Sequence, residues 1–163
     1  MASTQQYKFE ALQKFPSPPR TEPAKKASIE TDAASLFALA QHYLRAAQLL
    51  SIVELKGDKM RWHPYRLNAA QAIELCLSAY LMQKGMTYDE VRVFQHQVHP
   101  RAVFAAEKGL VLRKRTLEHL LRMDSDREYL MVRYNPAPFA LSELTRIKAT
   151  LDELFDKTGT AFN

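Results

Sequence analysis

The sequence predicts an all-α protein, an antiparallel up-and-down bundle of four to five main helices. Three observations carry that expectation. Only four glycines occur in 163 residues, too few for a sheet with many tight turns. Long segments repeat apolar residues at spacings of three and four, the period of a helix with one buried face. One stretch, residues 67–84, is apolar around most of its circumference. There Asn68, Gln71, Glu74 and Ser78 fall in one narrow arc, and Ala69, Ala70, Ala72, Ile73, Cys76, Leu77, Ala79, Tyr80 and Leu81 fill the rest. A helix with so little wet surface needs neighbours on more than one side, and its alanines let them approach closely.

Residues 1–30 read as a loose, basic, Pro-rich arm. Pro16, Pro18, Pro19 and Pro23 interrupt any helix, and Arg20, Lys25 and Lys26 keep the segment solvated. A turn carrying Phe9, Leu12 and Phe15 has the composition to dock on the body. The remaining residues, 31–163, form one domain. Its first helix starts at Thr31 or Asp32, either able to cap it, and runs to about residue 55. Leu36, Ala40, Tyr43, Ala47 and Leu50 form its inner stripe, and Gln41, Arg45 and Gln48 its wet face. Gly57-Asp58 turns the chain. The aromatic, basic link at 59–65 offers Arg61, Trp62 and Tyr65 either as a stacking platform or as a plug for the bundle end, with Pro64 starting the next helix. Gly85 supplies the left-handed residue that stops the central helix.

Thr87-Tyr-Asp-Glu90 is a capping box opening a shorter helix, with Val91, Phe94 and Val98 as its apolar edge. Pro100 ends that helix or starts the next, residues 101–108, which stops at Gly109. A helix over residues 113–123 directs Leu117, Leu120 and Leu121 inward. Ser125-Asp-Arg-Glu128 reads as a second capping box. Residues 129–134 fit a short helix or an extended piece, and Asn135-Pro-Ala-Pro138 a rigid loop. The last helix runs from 141 or 142 to 157, on a stripe of Leu144, Ile147, Leu151 and Leu154, with Gly159 just past its end.

The net charge of +5 and pI of 9.3 permit an acidic partner such as nucleic acid without requiring one. Cys76, the single cysteine, reads as a buried structural thiol, which suits a reducing cytoplasm. No secretory leader and no membrane-length apolar run is seen, so a cytoplasmic protein without membrane contact is expected. No glycine-rich phosphate loop and no Gly-x-Ser-x-Gly elbow occurs, which leaves dinucleotide, kinase-like and hydrolase chemistry without support. His96 and His99 alone make a poor ligand set, so neither a metal nor a cofactor is expected. His42 reads as an ordinary surface residue. Glu74, a carboxylate on a nearly all-apolar helix, calls for an inter-helix partner, and Arg133 is the proposed mate.

Glu74-Leu-Cys-Leu-Ser-Ala79, followed by Leu81 and Lys84-Gly85, resembles the central helix of HEPN-domain proteins. Those share an acidic residue, leucines, an alanine and a lysine-glycine stop. The histidine-bearing turn at 96–99, the apolar helix ending at Gly109 and Arg133-Tyr134-Asn135-Pro136 are similar to the segments that follow in that family. The likeness spans residues 36–154. Ser78 stands where many members have lysine, and no glycine precedes His96 or His99.

The resemblance implies a helical bundle, often a homodimer, in bacterial defence, toxin or RNA-processing settings. Catalytic members are metal-independent ribonucleases with four to six residues between an arginine and the histidine that follows it. Arg92–His99 and Arg113–His119 have that spacing, but Pro100 disfavours helix at His99. That leaves Arg113 as candidate phosphate clamp and His119 as candidate acid/base. Lys114 and Arg115 add a basic cluster at the start of the same helix. The expected function is an interaction or nucleotide/RNA-binding module without catalysis. The alternatives are an endoribonuclease of the toxin type and an accessory partner of a nucleotidyltransferase.

Overall fold

The computed structural model describes residues 31–52, 60–135 and 141–163, and the predicted N-terminal arm and the 136–138 loop lie outside them. Among the described residues the chain is all-α, as expected. Its helices are α1 (Ala33–Ser51), α2 (Trp62–Gln83), α3 (Tyr88–Arg92), α4 (Val98–Glu107), α5 (Lys114–Ser125), α6 (Glu128–Tyr134) and α7 (Leu144–Gly159), and a 3-10 turn (Thr160–Phe162) closes the chain. None of them is long and apolar enough to cross a membrane.

Helix α2 is the axis. It packs against α1, α3, α4, α6 and α7, and Ala72, Ile73, Cys76, Leu77, Ala79 and Leu81 are wholly excluded from solvent. Even its polar arc is covered, with Ser78 buried and Asn68, Gln71 and Glu74 half-buried. Helix α1 lies along it through Leu36, Phe37, Ala40 and Ala47. At the far end Phe162 stacks on Phe37 with ring centroids 4.3 Å apart, fixing the C-terminal turn to α1. The Cys76 thiol sits 2.9 Å from the Thr158 hydroxyl, whose own proton goes to the Leu154 carbonyl. The thiol is therefore the donor, and it ties α2 to α7.

Both glycine stops hold. Gly85 and Gly109 take φ near +96° and +97°, and each follows its helix with the paired bonds of a Schellman turn: Met86 to Leu81 and Gly85 to Met82, Leu110 to Ala105 and Gly109 to Ala106. Asp32 caps α1 by accepting from the Ser35 amide, and Thr87 and Glu90 form the reciprocal box that opens α3.

Several boundaries differ from expectation. Helix α1 closes at Ser51, with Ile52 as its C-terminal cap. Helix α2 begins at Trp62, because Pro64 still lies in the first turn, where its missing N–H has no intrahelical role. For the same reason Pro100 does not exclude His99 from helix: α4 starts at Val98. Residues 129–134 are helical. Gly159 is the last residue of α7, in ordinary helical geometry. In α5 the buried stripe is Thr116, His119, Leu120 and Met123, rotated by about one position from the predicted face, and Leu121 is 48% exposed.

The second capping box is not formed. Ser125 donates to the Leu121 carbonyl, and Glu128 instead accepts from the amide and hydroxyl of Ser142. That bond belongs to a pattern. Helices α4 and α5 have no side-chain cap of their own. Asp124, on α5, accepts from the amides of Val98 and His99 and so caps α4. Glu153, on α7, accepts from the Arg113 amide and the Thr116 hydroxyl and so caps α5. Carboxylates from neighbouring helices thus meet the orphan donors of helix starts.

Candidate nucleic-acid interface

Helix α2 brings one carboxylate, Glu74, to the edge of the core. Its partner is not Arg133 but Arg101. On α4 the buried stripe is Val98, Arg101, Ala102 and Ala105, so helical spacing itself drives this arginine inward. The side chain is 3% exposed and each of its nitrogens is engaged: Nε donates to Ser78, one amino group to the Gln97 carbonyl, and the other to Glu74 and the Gln95 carbonyl. Gln95 presents that carbonyl from a left-handed conformation, φ 52°. Burial pulls the Arg101 pKa down, while Glu74 and Asp124 oppose the shift. The group stays charged, as arginine does.

The second oxygen of Glu74 reaches Nδ1 of His96 at 3.1 Å. His96 is half-exposed and stacks on Tyr129 of α6, centroids 4.1 Å apart and planes 21° from parallel. Arg133, one turn on, donates to the Tyr129 hydroxyl and lies 5.1 Å over that ring and 5.6 Å over Tyr134. On the other side of His96 opens a cleft of about 360 Å³, to which Ser78, Tyr88, Arg92, His96 and Arg101 contribute. Arg92 lies 5.7 Å over the Tyr88 ring and pairs loosely with Asp89. The result is a surface of four flat rings with two arginines set between them: Tyr88, Arg92, His96, Tyr129, Arg133, Tyr134. It rests on the buried Glu74–Arg101 pair.

The other sequence-predicted residues lie elsewhere. His119 is wholly buried on α5, with Thr150 at 2.7 Å on Nδ1 and Ser142 at 2.8 Å on Nε2. Ser142 gives its hydroxyl proton to Glu128, so the imidazole donates to Ser142 from Nε2 and accepts from Thr150 at Nδ1. Burial, reinforced by Arg146 and Arg122, pushes its pKa down to about 4, and the ring is neutral at pH 7. Neither nitrogen is left to move a proton. The Arg113 side chain is exposed, and this residue enters the interior only through its backbone amide on Glu153. Burial works to raise the Glu153 pKa, but Lys157, Thr116 and the Arg113 amide together hold it below the usual range. Lys114 and Arg115 are exposed, Lys114 within 3.7 Å of Glu118.

Trp62 lies edge-on to Tyr65 with Arg61 4.7 Å over its ring. It lines an apolar groove between α1, α2 and α7, away from His96. His42 is exposed. No group of three metal-ligating side chains occurs among the described residues.

Sequence reasoning missed Arg101, Tyr129 and the role of His96. Signals were present. Arg101 interrupts an apolar stripe, which predicts a buried carboxylate partner, and Glu74 is the lone carboxylate on the central helix. Arg92 precedes His96 by three intervening residues, one short of the family spacing. No family model matches the chain, and no match is found among curated proteins or solved structures.

Proposed function

We propose that this chain is a nucleotide- or RNA-binding module that works through the His96–Tyr129–Arg133 surface. The supporting observation is that arginines lie over tyrosine rings at both ends of the stacked His96–Tyr129 pair. Flat side chains stack on bases whatever their identity, and interleaved arginines meet phosphates, the composition that single-stranded nucleic acid needs. The surface is also braced from below, since Glu74 orients His96 and His96 lies on Tyr129. Preorganised rings lose little freedom on binding. The net charge of +5 acts in the same direction.

The test is fluorescence anisotropy with a labelled single-stranded RNA over a salt series. Affinity falls as salt rises. Tyr129→Ala weakens binding about tenfold, the loss of one stacked base, and Arg133→Gln flattens the salt slope. Affinity indifferent to salt, or unchanged by both substitutions, removes this surface from the function. As the resemblance implies, the working form is a homodimer, which light scattering in solution reads directly.

One observation favours a second reading, the metal-independent endoribonuclease. The carboxylate on Nδ1 of His96 fixes the ring so that Nε2 faces outward, the arrangement that poises an imidazole for proton transfer. Arg92 shares the cleft and would steady phosphate charge. In this reading His96, not His119, is the acid/base. Purified protein cleaves mixed RNA in EDTA and His96→Ala does not. Absence of cleavage by the intact protein, with salt-dependent binding retained, leaves the binding module alone.

A further inference from the structure

A second polar cavity lies between α5, residues 141–143 and the start of α7, apart from His96. It measures about 400 Å³ and is bounded by Arg122, Arg146, Ser142 and His119. The two arginines are its unusual feature. Among the described residues neither forms an ion pair, although Asp126 and Glu143 line the same space. The Arg146 Nε is buried with no hydrogen-bond partner there. A buried guanidinium N–H without an acceptor is a strongly unfavourable arrangement, and it is rare.

The position of Arg146 compounds this. It lies in the first turn of α7, where the helix dipole already presents positive charge. The neighbouring imidazole is held neutral, and the Ser142 hydroxyl is committed to Glu128. The cavity therefore gathers two cations and a helix start, and neither of its carboxylates, Asp126 and Glu143, is seated on a guanidinium. An oxyanion with several acceptor oxygens supplies what is missing: charge and acceptors for the two guanidinium groups that line the cavity. Phosphate matches guanidinium geometry closely.

We propose that the Arg122–Arg146 cavity binds a phosphate-class oxyanion, either free phosphate or the phosphoryl group of a small phosphomonoester, independently of the His96 surface.

Inorganic phosphate and glycerol phosphate are the probes, each set against sodium chloride of equal ionic strength. Thermal melting and the His119 ring resonances are followed together. Either probe raises the melting temperature saturably and shifts the His119 signals, because an anion beside the two arginines changes the field at the ring. Half-saturation rises about tenfold in Arg122→Gln and in Arg146→Gln, the loss of a charge-assisted bond. Arg122 is exposed, so its variant folds even where Arg146→Gln does not. His96→Ala keeps the whole response, which separates this site from the RNA surface. Tighter binding of glycerol phosphate identifies a phosphomonoester, and equal binding the free ion. A response no larger than that of chloride, or one unchanged in Arg122→Gln, overturns the proposal.

Discussion

Arg101 Nη2 lies 3.4 Å from Glu74 Oε1 in a place where the guanidinium is almost dry. This pair joins α4 to the central helix, and the same arginine holds the carbonyls of Gln95 and Gln97 that shape the turn before α4. Arg101→Met leaves Glu74 Oε1 and two carbonyls without their donor. Urea unfolding should register a loss of about 3–5 kcal/mol, the usual consequence of breaking a buried pair from one side. A loss below 1 kcal/mol would mean that the pair is ornamental. The double variant Arg101→Met/Glu74→Leu removes both charges and recovers much of the loss.

His119 makes stability depend on pH. Its folded pKa of about 4 is below the 6.5 of the unfolded chain, so between those values the unfolded state binds the extra proton. The sign follows: stability is full above about pH 6.5, declines as pH falls towards 4, and this contribution levels off below. The span is on the order of 3 kcal/mol. Arg146 and Arg122 face the ring and oppose its protonation. Glu153, held below the usual carboxylate range, loses its contribution only as pH falls below about 4.5, so the two windows separate. Unfolding curves at several pH values check this. A flat profile between pH 6.5 and 4.5, or the same slope in His119→Gln, contradicts it.

Cys76 is fully buried and its thiol pKa is pushed up to about 12 by burial. Thiolate is the reactive form. Ellman's reagent at pH 8 should therefore label the folded protein no faster than it unfolds and label the urea-unfolded chain at once. Prompt labelling of the native form would place the thiol at an opening between α2 and α7.

Asp124→Ala removes the acceptor for two amides at the start of α4. A loss of about 1–2 kcal/mol is expected, as for a helix cap supplied by the residue's own helix. Faster amide exchange should appear at Val98 and His99 first. Unchanged exchange there would mean that water already serves these donors.

The central helix was legible because its pattern has one explanation: apolar residues on all sides and glycine at the end. The glycine stops and the Thr87 box were legible because each is a local motif. The capping of α4 and α5 was not, since Asp124 and Glu153 lie far along the chain from the amides they serve. The face of α5 was misread because leucines outnumber other apolar residues there, yet Thr116 and His119 carry the stripe with Leu120 and Met123. A buried histidine and threonine look polar in sequence and become interior only through partners on α7. The candidate surface combines residues from α2, α3, α4 and α6, and no spacing rule joins Glu74 to His96 or His96 to Tyr129.

The borrowed caps also set an order on synthesis. The amide at 113 and the hydroxyl at 116 wait for residue 153, and the amides at 98 and 99 wait for residue 124. A chain still emerging from the ribosome has made α5 before the carboxylate that completes it exists. Proteolytic loss of residues 144–163 would accordingly be felt in mid-chain, as fraying at 113–116, and not only at the new terminus.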